Sequence, residues 1–153
     1  MQLNHHEKIR QVFPDVLENL AFMFAEQSQI VDMPTELDQP IHVRIDFAGA
    51  SRGQLHLITS QEVCDEIAIN LLGYLDASEL QPGSADDAIK ELANITCGQF
   101  LTAAAGTQPV FNLTPPQLIT SSDNTWASML NDADSFLFTI DQTPIILNIK
   151  TAA

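Results

Sequence analysis

Apolar positions along the chain switch between a helical period and a period of two, and the switches mark out the elements. From about His5 to Ile30, Ile9, Val12, Phe13, Val16, Leu17, Leu20, Phe22, Met23 and Phe24 recur at helical spacing and then run almost continuously. This predicts a first helix buried on more than one side. Pro14 either kinks that helix or divides a short lead-in from a longer part. Val31 to Pro40 is a connector. Ile41, Val43, Ile45 and Phe47 then alternate with His42, Arg44 and Asp46, and Leu55, Leu57 and Thr59 continue the alternation after a turn at Ala48 to Gly53. That is a hairpin whose loop is longer than the tight two-residue kind. Ser60 caps the next helix, which carries Val63, Ile67, Leu71 and Leu72 and stops at Gly73.

The most complete element is Ser84 to Gly106. Ser84 is placed to cap it, Asp87 completes a capping-box pattern, and Gly106 offers the terminating position. Ile89, Leu92, Ala93, Cys97, Phe100 and Ala104 fall on one side, and Asp87, Glu91 and Asn94 form a polar stripe opposite. Beyond it, Val110 to Leu113 and Gln117 to Thr120 read as short extended pieces separated by Pro115 and Pro116. Ser121 to Asp134 reads as polar and irregular around Trp126 and Met129. Phe136, Phe138 and Ile140, a turn at Asp141 to Pro144, and Ile145, Leu147 and Ile149 make a second hairpin.

Three main helices and five or six strands in antiparallel hairpins predict an α+β fold, a mainly antiparallel sheet with long helices packed on it. An internal echo adds detail. Asp15 to Phe24 lies on Asp87 to Thr96 with Asp, Leu and Ala matched in place, which predicts two pseudo-repeated helix-plus-hairpin halves. In this alignment Asn19 stands for Glu91 and Phe22 for Asn94.

Composition narrows the function. A chain of 153 residues is expected to form a single domain, residues 1–153. Its 20 acidic residues against 6 Lys and Arg give a net charge of -14, which repels nucleic acid and anionic membrane alike. No signal core or long apolar run is evident, so a cytoplasmic location is expected. Cys64 and Cys97 lie in apolar helical patterns and read as buried free thiols.

Few groups offer chemistry. No phosphate loop, dinucleotide fingerprint, nucleophile elbow or HExxH occurs. His5 and His6 read as a solvated terminal pair, His42 and His56 as an exposed pair on neighbouring strands, and Asp132 and Asp134 as solvent-facing acids. Asp86 stands four residues before Lys90, the spacing of a surface ion pair. Asn94 stands out because Asn is a poor mid-helix residue, and its carboxamide both donates and accepts beside Glu91.

Asp87-xxx-Glu91-xx-Asn94 at the front of a long helix resembles the signature of the CheC/CheX/FliY family of chemotaxis phosphatases. Pro116 lies close to the place of that family's downstream proline. The first helix, the segment from Asp46 to Gly73 and the final hairpin share the likeness. One Glu/Asn pair resembles a CheX-like member.

The resemblance implies a phosphatase acting on the aspartyl phosphate of a phosphorylated CheY-like receiver domain, in chemotaxis or another two-component pathway. Glu91 and Asn94 would be catalytic, with Asp87, Lys90 and Glu91 binding the partner. No metal or cofactor is expected in this chain, the Mg²⁺ belonging to the receiver. A homodimer is also implied. The alternative is a non-catalytic receiver- or flagellar-switch-binding module of the same fold.

Overall fold

The computed structural model describes residues 5–120 and 123–152, with the side chains of His5, His6 and Asp123 outside that description. The reading of His5 and His6 as a solvated pair therefore lies outside the described residues.

Helix α1 runs over His5–Ala21, followed by strand β1 at Ala25–Gln27. Strands β2 (Pro40–Ala48) and β3 (Arg52–Ser60) form the first hairpin, and helix α2 spans Gln61–Leu72. Helix α3 spans Ser84–Ala105, and short strands β4 (Asn112–Leu113) and β5 (Gln117–Ile119) follow. Helix α4 is Asp123–Leu130, and β6 (Ser135–Ile140) and β7 (Thr143–Ala152) form the second hairpin.

The seven strands pair antiparallel in the order β1-β6-β7-β3-β2-β4, with β5 also on β2. The period-two residues decide which face is filled. Val43, Ile45, Phe47, Leu55, Leu57, Phe136, Phe138, Ile145 and Leu147 point to one side. There they join Ile9, Phe13 and Leu17 of α1, Val63 and Ile67 of α2, and Ile89, Leu92 and Phe100 of α3 in one core. The α+β architecture expected from the sequence is the one observed. The echoed helices α1 and α3 pack against each other in this layer, with β2–β3 after the first and β6–β7 after the second.

Gly53 shows how tightly the central strands close. A Cβ there would lie 1.9 Å from the Lys150 carbonyl oxygen of β7 and 2.8 Å from the Phe47 ring. No side chain fits.

Several expectations are corrected. The first helix ends at Ala21 rather than Ile30. Phe22 takes a left-handed φ of 55°, and the following residues leave the helix to pair with β6. The apolar run there alternates instead of being enclosed, with Met23 buried and Phe22 and Phe24 74% and 67% exposed. The helix runs through Pro14 without dividing. Residues 123–130 are helical rather than irregular, because Trp126 and Leu130 bury against Met33, Ile58 and Ile146 on the opposite sheet face. Trp126 also donates its indole N–H to the Pro34 carbonyl at 2.8 Å. That long-range anchor has no local sequence signature.

Candidate functional site

Helix α3 is the frame of the site. Its buried side is Ala88, Ile89, Leu92, Ala93, Thr96, Cys97, Phe100 and Leu101, packed on α1, α2 and the sheet. This anchoring from Ala88 to Leu101 backs the outer stripe with packed core.

The helix starts differently from the expected capping box. Gly83 holds the N-cap with φ 87° and contributes no side-chain bond. Ser84 lies inside the helix, and its hydroxyl accepts from the Gln81 N–H at 3.2 Å. The Asp87 N–H makes an ordinary helical bond to the Gly83 carbonyl at 3.0 Å. Asp86 and Asp87 therefore favour the helix start through the dipole rather than as caps. Gly106 ends the helix at φ 84°, as its position suggests.

Asp87, Glu91 and Asn94 are exposed, and Lys90 beside them is half-buried. Spacings of four and three residues put the first three on adjacent turns of one face. Neither Glu91 nor Asn94 has a side-chain hydrogen bond or ion pair to another described residue. The expected Asp86–Lys90 pair is not formed, whereas Arg44 pairs with Asp46 and Lys150 with Asp132 and Asp134. A free carboxylate and a free carboxamide thus stand side by side. Such a pair can engage an incoming cation and hold a water molecule, since the amide both donates and accepts.

A groove of about 460 Å³ opens beside this stripe, lined by Val12, Asp15, Val16, Asn19 and Leu20 of α1 and by Ile95 and Gln99 of α3. Asp15 and Asn19, the echoes of Asp87 and Glu91, are exposed along it, and Phe22, the echo of Asn94, is exposed at the end of α1.

The sequence model of the family described as Chemotaxis phosphatase CheX matches residues 41–140, a span holding β2, β3, α2 and all of α3. The chain belongs to the CheX family. Curated proteins give no match. Among solved structures, the CheX–CheY–BeF3–Mg²⁺ complex from Borrelia burgdorferi contains a chain 18% identical, covering 99% of this chain and 100% of that one at TM-score 0.71. CheX from Vibrio vulnificus is 16% identical over 97% of each chain at TM-score 0.73. FliY from Thermotoga maritima is 13% identical, covering 99% of this chain and 92% of that one at TM-score 0.56. At these identities the likeness is one of fold.

Elsewhere in this CheX-family chain, the sequence reading missed a polar chain on the sheet face away from α3. His42 and His56 were expected to be exposed. His42 is 5% exposed and His56 half-buried, and His42 Nε2 lies 2.8 Å from His56 Nδ1. His56 Nε2 lies 3.0 Å from Gln54 Oε1. The amide oxygen accepts, so His56 carries its proton on Nε2 and accepts from the His42 Nε2–H at Nδ1. His42 Nδ1 is left bare, buried and without a partner.

Burial, then the nearby His56 and Arg44, lower the His42 pKa to about 4. Burial and Arg44 also lower that of His56, against an opposing pull from Asp46 and Asp132. No third such ligand gathers around the two rings among the described residues. Burial pushes both Cys64 and Cys97 up to about 12, which fits inert core thiols. Asp132 and Asp134, expected to be solvent-facing acids, clasp Lys150 at the surface at 2.6 and 3.2 Å, Asp134 remaining half exposed and Asp132 partly covered. No described helix is long and apolar enough to cross a membrane.

Proposed function

We propose that this chain accelerates hydrolysis of the aspartyl phosphate on a CheY-type receiver domain. The reading is carried by one observation: Glu91 and Asn94 stand exposed, adjacent and unpartnered on a helix whose other side is locked into the core. Membership of a family described as a chemotaxis phosphatase supports it, as does the fold shared with a CheX crystallised in complex with CheY.

In this mechanism the stripe of α3 enters the receiver's acidic site. Glu91 pairs with a receiver lysine and fixes the register. Asp87 and Lys90 flank it as partner contacts. The Asn94 carboxamide accepts a hydrogen bond from a water molecule and aims the water oxygen along the axis of the scissile bond. The water oxygen bonds to phosphorus, the bond from phosphorus to the aspartyl oxygen breaks, and the aspartate leaves as carboxylate. The water's proton passes to phosphate or solvent. Mg²⁺, expected on the receiver and not on this chain, would supply positive charge to the phosphoryl oxygens. Positioning of this kind is worth on the order of 10²-fold, about 3 kcal/mol.

The test is phosphate release from a phosphorylated receiver with and without the protein. Wild type shortens the lifetime of the phosphoryl group, and Asn94→Ala abolishes the acceleration while still binding. Equal rates for the two proteins would sink the assignment of Asn94. Binding without acceleration by wild type would favour the alternative, a receiver- or flagellar-switch-binding module. A cytoplasmic homodimer belongs to the same proposal, and light scattering of the purified chain reads its mass.

A further inference from the structure

We infer that the groove between α1 and α3 is a second docking contact for the receiver, taking an apolar side chain of that partner next to a basic one. This inference rests on the reading of Glu91 and Asn94 just proposed, and it concerns recognition rather than catalysis.

Three observations meet there. First, the groove adjoins the catalytic stripe. Ile95 lies next to Asn94 in the chain and one turn beyond Glu91, and Gln99 lies a further turn on, so both flank the stripe on the side facing α1. A domain seated over Glu91 and Asn94 therefore covers the groove as well.

Second, the lining is apolar below and polar at the rim. Val12, Leu20 and Ile95 are half-buried hydrophobic side chains that keep part of their surface in water, and Val16 forms the floor. A space of about 460 Å³ open to solvent suits a protruding side chain of a macromolecule better than an engulfed small ligand.

Third, the charge is one-sided. Asp15 is the one charged residue among the described residues of the lining, and Asn19 and Gln99 supply amides. Glu18 on α1 and Asp87 and Glu91 on α3 are further exposed acids of these helices. The receiver already brings a cation to Glu91 in the proposed mechanism, and Asp15 calls for a second on the same face.

This gives the first helix a role that its lost signature alone would not suggest. Asn19 and Phe22 replace the catalytic residue types in the echo, yet Asp15 remains and borders the groove. One copy of the helix would carry the chemistry and the other part of the recognition.

Two variants test this, Asp15→Lys at an exposed position and Leu20→Gln at a half-buried one. The readouts are phosphate release as a function of receiver concentration, and direct titration with a CheY-type receiver loaded with beryllofluoride and Mg²⁺. Circular dichroism confirms folding of each variant. Each groove variant is expected to raise the half-saturating receiver concentration about ten-fold with little change in the rate at saturation. Asn94→Ala should do the reverse.

Unchanged half-saturation and titration in both folded variants would overturn the groove assignment and leave the catalytic reading standing. Weakened titration in the groove variants together with wild-type rates in Asn94→Ala would overturn the catalytic reading and leave the groove. A change in oligomeric mass of the groove variants with receiver affinity intact would assign the groove to a second copy of this chain, against the inference. Failure of wild type to bind the receiver would remove both.

Discussion

Acid should weaken this fold through the His42–His56 pair, and the direction of the effect follows from the hydrogen-bond chain. In the native state, a proton added to His42 at Nδ1 creates a buried N–H with no acceptor, since that atom is enclosed and unpartnered. A proton added to His56 at Nδ1 either breaks the 2.8 Å bond or shifts the His42 proton to the same enclosed Nδ1. Each route either buries an unpaired N–H or breaks the bond between the rings. The native pair therefore resists protonation, whereas the unfolded chain takes up protons at the ordinary histidine value.

The sign follows. His42 has its folded pKa depressed from 6.5 to about 4, so the unfolded state holds more protons between those values. Its contribution is fully present above pH 6.5 and is lost as pH falls through 4. By linkage the loss from this residue alone is on the order of 2–3 kcal/mol by pH 4.5, set by its two pKa values. His56 acts in the same direction. Glu66, whose pKa is raised by burial and by Asp141 and Glu62, acts the other way in part of the window, but its side chain is exposed. Arg44, Asp46, Lys150 and Asp132 set the local field around the rings.

The assay is urea unfolding at pH 7.5 and 4.5, followed by the fluorescence of Trp126, the sole and buried tryptophan. With an m-value of about 2 kcal/mol/M, the midpoint should fall by roughly 1 M on acidification. His42→Gln keeps a donor and removes the titrating ring, so most of that fall should vanish. Parallel losses of stability in wild type and His42→Gln would refute the argument.

Three further outcomes are expected. Gly53→Ala forces a methyl group into the Lys150 carbonyl and the Phe47 ring, and should cost about 3 kcal/mol, read as a lowered thermal midpoint. Cys64 and Cys97, with pKa values pushed up to about 12 by burial, should resist a thiol-reactive disulfide reagent at pH 8 in the native protein and react fully in denaturant. Asn94→Ala should leave the thermal midpoint unchanged or slightly raised, since it replaces an exposed, unpartnered Asn with a better helix former worth about 0.5 kcal/mol. A marked destabilisation would instead mean a structural role for Asn94.

By itself the sequence determined the elements that rest on local pattern. The two long hairpins follow from strict alternation at 41–47 with 55–59 and at 136–140 with 145–149. Helix α3, its buried side and its exposed Asp87–Glu91–Asn94 stripe follow from the helical period closed by Gly106.

Tertiary structure decided what depends on a partner far along the chain. The apolar run at 20–24 suits a helix or a strand, and pairing with β6 chose the strand after Phe22. In residues 123–130 the apolar spacing of Trp126, Met129 and Leu130 covers little more than one turn, and burial of Trp126 beside Met33, with its bond to Pro34, made the segment a helix. His42 and His56 occupy the outward phase of their strands, as the alternation requires, but that phase is water-facing only where no element covers the sheet. Lys90 and Asp86 have ion-pair spacing, yet neither is held by the other.

The groove belongs to the same class: each of its walls is legible as a helix, while the space between them exists only once α1 and α3 pack together. Local periodicity fixes which face of an element is apolar. Which element covers that face, and what is left open beside it, is fixed by contacts that no short window of sequence contains.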